Sequence, residues 1–333
     1  LQADWDVGIL SMERHDETEA LISELGITFR CIPLSRNMLS VFSDLTYCVQ
    51  ARDFVKNFRP NVLMSYTIKP NAYSGLILRT LNIKTIFIPV VTGLGYAFYG
   101  ATFSRRLIRY ITLILHKASF HEASKVIFQN NDNKKFFYSV GLISKDRILT
   151  VPGDGVEIPK EWNCNAHQDQ NKVFICVARV LAEKGLRELR EAANIVKTQH
   201  PEFSVSLYGP LESSPDAIRE EELNEWSREQ SVIWRGYATD VPALLRQAYC
   251  FVMPSHHEGM CTAVAEAIAY AVPVIGTDIA GIREMVGRNG QLVPVCGTSE
   301  LADAMTAIFE IDKEQWHEMS RISRKRAVEL VDR

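Results

Sequence analysis

From Trp5 to Thr150, short apolar runs rich in β-branched residues alternate with longer stretches of helical period, and the alternation resumes at Lys172. Such alternation predicts parallel sheets covered by helices on both faces. Strands are predicted at residues 5–10, 27–33, 61–66, 84–91, 125–128 and 147–151, with helices at 15–25, 41–58, 71–81, 104–122 and 132–140. The run Pro152-Gly153-Asp154-Gly155 and the polar stretch from Pro159 to Asn171 break the pattern as a linker would. A second series follows, with strands at 172–178, 203–208, 231–235, 249–253 and 272–276. The pattern therefore predicts an α/β protein of two doubly wound, Rossmann-like domains, 1–152 and 153–333, facing across a cleft where such sheets place ligands.

Length agrees, since 333 residues at about 150 per domain make two cores. With 47% hydrophobic and 23% charged residues the chain is neither disordered nor a disulfide scaffold. Its 37 basic and 40 acidic side chains leave a net charge of −3, which gives no global field for nucleic acid. Any polyanion site must be local. Seven cysteines without a C-x-x-C pair point to a reducing compartment, the cytoplasm, rather than to disulfides or structural zinc. Arg109 and Glu266 interrupt the two most apolar regions, so no spanning helix is expected.

Three constellations carry chemistry. Glu258 and Glu266 flank the start of an Ala-rich helix predicted over Met260 to Ala271, which would set their carboxylates about 12 Å apart along the helix direction. That separation suits a nucleoside diphosphate. Glu266 lies among Ala263, Val264, Ala265, Ala267, Ile268 and Ala269, where a carboxylate is costly unless paired; an ordinary buried ion pair is the alternative. Arg179 and Lys184 follow a strand and precede a helix, an arrangement that offers phosphate fixed charge, free N–H donors and a positive dipole end. A solvated surface pair is equally consistent with those two residues alone. Gly259 permits close approach of backbone to phosphate, and Gly281-Ile282-Arg283-Glu284 supplies another turn and helix start on the same edge.

The order Gly-x-Val-Glu (155–157), Arg-x4-Lys-Gly (179–185), Glu-x7-Glu (258–266), Pro-Val-Ile (273–275) and Gly-x-Arg-Glu (281–284) resembles glycosyltransferase family 4, retaining enzymes of the GT-B fold. The resemblance covers essentially the whole chain. It implies that Arg179 and Lys184 hold the donor diphosphate, that Glu258 contacts the transferred sugar, that Glu266 holds the ribose hydroxyls and that Gly259 lines the donor site. Arg179, Lys184 and Glu258 are the catalytic set so implied. Thr67-Ile68-Lys69-Pro70-Asn71 and Thr92-Gly93-Leu94-Gly95-Tyr96-Ala97-Phe98 resemble the branch that extends undecaprenyl-diphosphate-linked sugars in bacterial O-antigen, capsule and N-glycan assembly. Lys69, Thr92, Gly93 and Gly95 are then the acceptor or cleft-loop residues, although a plain turn would read the same.

The resemblance implies transfer of a hexose or N-acetylhexosamine from a UDP-sugar to a polyprenyl-diphosphate-linked saccharide at the inner face of the plasma membrane. A nucleotide-sugar 2-epimerase of the same fold and a non-catalytic sugar-nucleotide-binding module are the rival readings. The family pattern departs at three points. Family members begin with a strand, a glycine loop and a helix ahead of residue 1, so the first domain is expected to lack its first strand and helix and the chain to bind UDP while transferring sugar poorly. No His stands between Thr92 and Gly95, which leaves the acceptor base unassigned. Ala271 stands where the family has a Gly closing the Glu266 helix.

No metal is expected. Asp4-Trp5-Asp6 precedes a strand instead of ending one, and His257-Glu258 lacks the second His of a zinc-protease motif because position 261 is Cys. Finally, Arg105, Arg106 and Arg109 stand among Phe103, Leu107, Ile108, Tyr110 and Ile111. A basic helix with such a face can lie on an anionic membrane, or can be a core-packing helix with a solvated basic edge.

Overall fold

The structure, a computed structural model, describes residues 5–13, 16–35, 40–93, 98, 103–151, 153, 155–160, 172–214 and 216–332. The chain divides into two compact units, the first of residues 1–128 and 132–150, the second of residues 129–131 and 151–333. In order, the first series runs β1 (Gly8–Ser11), α1 (Asp16–Glu24), β2 (Thr28–Cys31), α2 (Val41–Phe58), β3 (Val62–Tyr66), α3 (Ile68–Arg79), β4 (Ile86–Val91), α4 (Phe103–Phe120), β5 (Val126–Phe128), α5 (Asn131–Ser139) and β6 (Ile148–Thr150). The second runs β7 (Phe174–Val177), α6 (Leu186–Gln199), β8 (Val205–Tyr208), α7 (Glu220–Glu229), β9 (Val232–Trp234), α8 (Val241–Gln247), β10 (Cys250–Met253), α9 (Thr262–Ala269), β11 (Val274–Thr277), β12 (Gly290–Val293), α10 (Thr298–Glu310) and α11 (Lys313–Leu330).

All described strand pairs are parallel. In the first unit they form two sheets, β1-β2 and β3-β4-β5-β6; β3 ends the larger one with Met64 and Tyr66 exposed. Phe87, Phe120, Phe128 and Phe137 pack its core. Helix α3 starts three residues before the predicted position 71, because Pro70 falls in the first turn, where a missing N–H costs little. Its N-cap Thr67 sits at φ 69°, ψ 174°, a strained conformation for a β-branched residue.

The second unit is one sheet in the order β12-β11-β10-β7-β8-β9. The sheet grows outward in both directions from β7 and β10, so the switch point, where loops diverge to opposite faces, lies between these two strands. Helix α6 buries Leu186, Leu189, Ala192, Ala193 and Val196, a helical stripe against Phe174 and Leu207. Each buried leucine contributes about 1.5–3 kcal/mol of hydrophobic stabilisation. Strand β12 was not expected from the sequence: its Gly-Gln-Leu-Val run exposes Gln291 and Leu292 at the sheet edge and buries only Val293. Helix α9 closes with Ala271 at φ 61°, its N–H donating to Ile268 O and that of Val272 to Ala267 O. Alanine thus adopts the left-handed closing turn that the family pattern fills with glycine.

Candidate active site

Apart from Glu266, which lies in α9, the site residues of the second unit come from loops at the carboxyl ends of β7, β10 and β11. After β7 the chain passes through Arg179, forms a single tight turn over Ala182–Lys184 and enters α6 through Gly185. Gly185 has φ 68°, and a Cβ there would lie 2.0 Å from Pro254 O, so only glycine lets this turn close on the end of β10. On the other side Gly281, at φ 79°, admits Gly259 O, which would stand 2.4 Å from a Cβ. These two close approaches draw the β7, β10 and β11 loops together around the switch point.

There Lys184 Nζ donates to Glu258 Oε1 at 2.7 Å, and Ser255 Oγ donates to the same oxygen at 2.8 Å. The two charged side chains are only 13% and 14% exposed. Their partnership joins residues 74 positions apart in the chain. Arg179 is held less closely, 3.9 Å from Glu183 and 3.7 Å from Glu212, and is half exposed. At those distances charge attracts the guanidinium but hydrogen bonds do not fix it, so it can turn toward an anion. His257 hydrogen-bonds Glu183 at 3.2 Å, and this bond holds the Glu183 carboxyl below its ordinary pKa.

Glu258 is not on the helix that follows it. Helix α9 begins at Thr262, after an extended Cys261 whose N–H donates to Gly281 O, so the 12 Å axial separation of the two glutamates, which assumed a continuous helix, does not apply. Glu266 does lie in α9, half-buried, and burial alone raises its pKa. Among the described residues no cation or donor pairs with its carboxylate. Gly259 is half-buried beside Glu258. The segment from Gly281 is a series of turns and not a helix start; Asn289 and Arg326 side chains take the Met285 carbonyl and Arg326 also takes that of Glu284, so no helical ladder propagates.

In the first unit Thr92 and Gly93 are half-buried at the carboxyl end of β4, and Gly95 lies outside the described residues. Lys69 is 7% exposed: its ammonium donates to Asp44 Oδ1 at 2.6 Å and to Ser35 O at 3.0 Å, while Tyr73 donates to the other Asp44 oxygen. A lysine expected to line a cleft is thus bound into a buried ion pair. Helix α4 has inverted amphipathicity. It buries Thr112, His116 and Ser119 with Phe120, and exposes Phe103, Leu107, Tyr110, Ile111 and Ile114 as one stripe. Ser119 packs against Gly75 of α3, whose N–H donates to Ser119 Oγ at 3.1 Å. Arg106 is exposed along one border of the stripe and Arg109 is half-buried; nothing is described of the Arg105 side chain. The stripe is therefore not the core-packing face that was the alternative reading of this helix.

Among the described residues six cysteines are free, and no helix is long and apolar enough to cross a membrane. A parallel sheet of Rossmann order, with cations and carboxylates at its switch point, defines a doubly wound α/β protein with a charged cluster where such sheets place ligands. Comparison with known proteins gives the class. Residues 171–310 match the family described as glycosyl transferases group 1. The chain is 25% identical over 313 residues, 90% of its length and 81% of the relative's, to the N,N'-diacetylbacillosaminyl-diphospho-undecaprenol alpha-1,3-N-acetylgalactosaminyltransferase of Campylobacter jejuni. It is 23% identical, over 79% of its length and 70% of the relative's, to the capsular polysaccharide biosynthesis glycosyltransferase CapM of Staphylococcus aureus. Its fold matches Anabaena HepE solved in complex with UDP, with a TM-score of 0.74, 15% identity and coverage of 98% of this chain and 88% of that one. The chain is a glycosyltransferase of GT-B fold.

Proposed function

We propose that this glycosyltransferase moves a hexose or N-acetylhexosamine from a UDP-sugar to a polyprenyl-diphosphate-linked saccharide, with retention of anomeric configuration, in bacterial surface polysaccharide or glycan synthesis. The observation that carries this reading is the placement of Arg179 and the Lys184–Glu258 pair at the switch point of the second sheet, with an unpaired, half-buried Glu266 on α9, the helix that follows β10. The acceptor class is supported by the Campylobacter relative, whose name specifies an undecaprenol diphosphate, and the donor by the UDP in the HepE complex.

Arg179 and Lys184 hold the diphosphate. Lys184 has three N–H donors, of which Glu258 takes one and orients the rest. Glu258 contacts the sugar, Glu266 accepts from the ribose hydroxyls, and Gly259 brings backbone close to phosphate. The bond between the anomeric carbon and the diphosphate oxygen breaks with its electron pair on the leaving group, where both cations stabilise the developing charge, while an acceptor hydroxyl oxygen bonds the same carbon and its proton passes to the departing diphosphate. That charge needs no divalent ion, so excess chelator leaves transfer intact. In the first unit Thr92, Gly93 and Gly95 form the acceptor loop, and the apolar stripe of α4 with its basic border rests on the cytoplasmic face of an anionic membrane.

The test is single-turnover and steady-state assay of Arg179→Ala and Lys184→Ala with nucleotide sugars and a short-chain lipid diphosphate acceptor. Each variant is expected to lose about 100- to 1,000-fold in kcat. Wild-type turnover by either overturns the diphosphate assignment. Mass spectrometry of the products separates glycosylated lipid from an epimerised sugar nucleotide and from no product at all.

A further inference from the structure

We propose that Glu188, His256 and Cys296 bind one zinc-class transition-metal ion, at a site that the transfer reaction does not use. The three ligands come from separate elements of the second unit: Glu188 from α6, His256 from the loop after β10, and Cys296 from the turn between β12 and α10. His256 Nε2 lies 2.9 Å from Glu188 Oε1 and 3.7 Å from Cys296 Sγ, and the three donor atoms all fall within 4.8 Å of one another. In a tetrahedral zinc site, bonds of about 2.0–2.3 Å set neighbouring donor atoms roughly 3.3–3.6 Å apart. Shifts of up to about 1 Å bring the three donors to that spacing, and a fourth position is left for solvent or an exchangeable group.

The His256–Glu188 ion pair gains a third donor in the Cys296 thiol, which hydrogen-bonds Glu188 and also faces the same imidazole nitrogen. The backbone supports the convergence. His256 N–H donates to Glu183 O at 2.9 Å, which fixes the loop against the β7–α6 turn, and Thr298 N–H donates to Cys296 O at 3.1 Å, which closes the turn that presents the thiol. Cys296 is exposed, and His256 and Glu188 are half-buried, so an ion can enter from solvent. The donor set decides which ion. One thiolate, one imidazole and one carboxylate favour zinc, cobalt or nickel over magnesium and calcium, which require oxygen ligands. Binding releases the thiol proton to solvent and leaves the metal–thiolate bond, so affinity rises with pH. The ion ties α6, the β10–α9 loop and the β12–α10 turn together.

The experiment titrates the chelator-stripped full chain with cobalt(II), then with zinc. Expected are a thiolate-to-cobalt charge-transfer absorption that saturates at one equivalent, its displacement by zinc, and a zinc-dependent rise in Tm. Cys296→Ser, an exposed change checked by circular dichroism, loses the absorption. Both Cys296→Ser and His256→Gln weaken zinc binding by at least about tenfold, the smaller loss expected when a metal site is damaged. Absence of the absorption in the wild-type chain, or its persistence in Cys296→Ser, overturns the site.

Discussion

Glu266 places a charge on a helix whose neighbours Val264, Ala265, Ala267, Ile268 and Ala269 are all buried, and burial alone raises its pKa. The sign of the consequence follows. The unfolded carboxyl ionises at its ordinary value and the folded one higher, so stability falls as pH rises through that interval and stays lower above it. Glu266→Gln removes this loss: at neutral pH the variant is expected to melt above the wild type, and in acid the two should converge. The same substitution weakens UDP binding roughly tenfold to hundredfold, the value of one or two hydrogen bonds to a charged acceptor. Melting curves across pH with calorimetric titration of UDP check both. A variant that is more stable yet binds UDP as tightly as wild type would remove Glu266 from the donor site. At this scale the sequence showed which residue types cluster near strand ends but not which meet. The Lys184–Glu258 pair spans 74 residues, and Lys69 meets Asp44 across 25, contacts that no local spacing encodes.

Some helix ends are legible in the sequence. Helix α2 spans the predicted 41–58, and α11 opens on a capping box in which Asp312 accepts from Gln315 N–H at 2.8 Å. Helix α7 ends on Gln230 at φ 58°, in the left-handed region, with its side chain exposed. Gln230→Gly keeps the N–H bond to Ser227 O and the carbonyl that accepts from Lys197, and releases the strain of a Cβ in that conformation. A gain of about 1 kcal/mol is expected in chemical denaturation, without change in transfer activity. A loss of stability instead would mean that the Gln230 side chain contributes more than its backbone costs. What the sequence obscured at this scale has a common cause. In β12 edge exposure replaces alternating burial, and before α9 the loop from Ser255 to Cys261 is shaped by Gly281, twenty residues downstream of its end. Position in the tertiary fold overrides local pattern in both.

Over the whole molecule a net charge of −3 gives no attraction to an anionic bilayer, so any membrane contact must be local. The first unit offers such a place. Along α4 the exposed stripe from Phe103, 82% exposed, to Ile114 covers three turns, with Arg106 and Lys117 on one border. Helix α2 adds a second exposed apolar row, Val41, Phe42, Leu45 and Val49. Apolar surface of this extent, bordered by basic residues, matches the chemistry of an interfacial helix and of an acceptor anchored in lipid. The chain is therefore expected to sediment with vesicles containing anionic phospholipid and to stay in solution with neutral ones. Each basic residue near such a surface contributes about 1 kcal/mol, so Arg106→Gln with Lys117→Gln should weaken binding roughly thirtyfold. Leu107→Ser with Ile114→Ser should weaken it at every salt concentration, whereas the charge variants lose their effect as salt rises. Neither pair alters the Arg179, Lys184 and Glu258 cluster, so hydrolysis or transfer with a water-soluble acceptor should remain unchanged while transfer to vesicle-embedded lipid diphosphate falls. If wild-type chain ignores anionic vesicles, or both variants bind them as it does, the stripe faces something other than lipid and the acceptor reaches the enzyme by another surface.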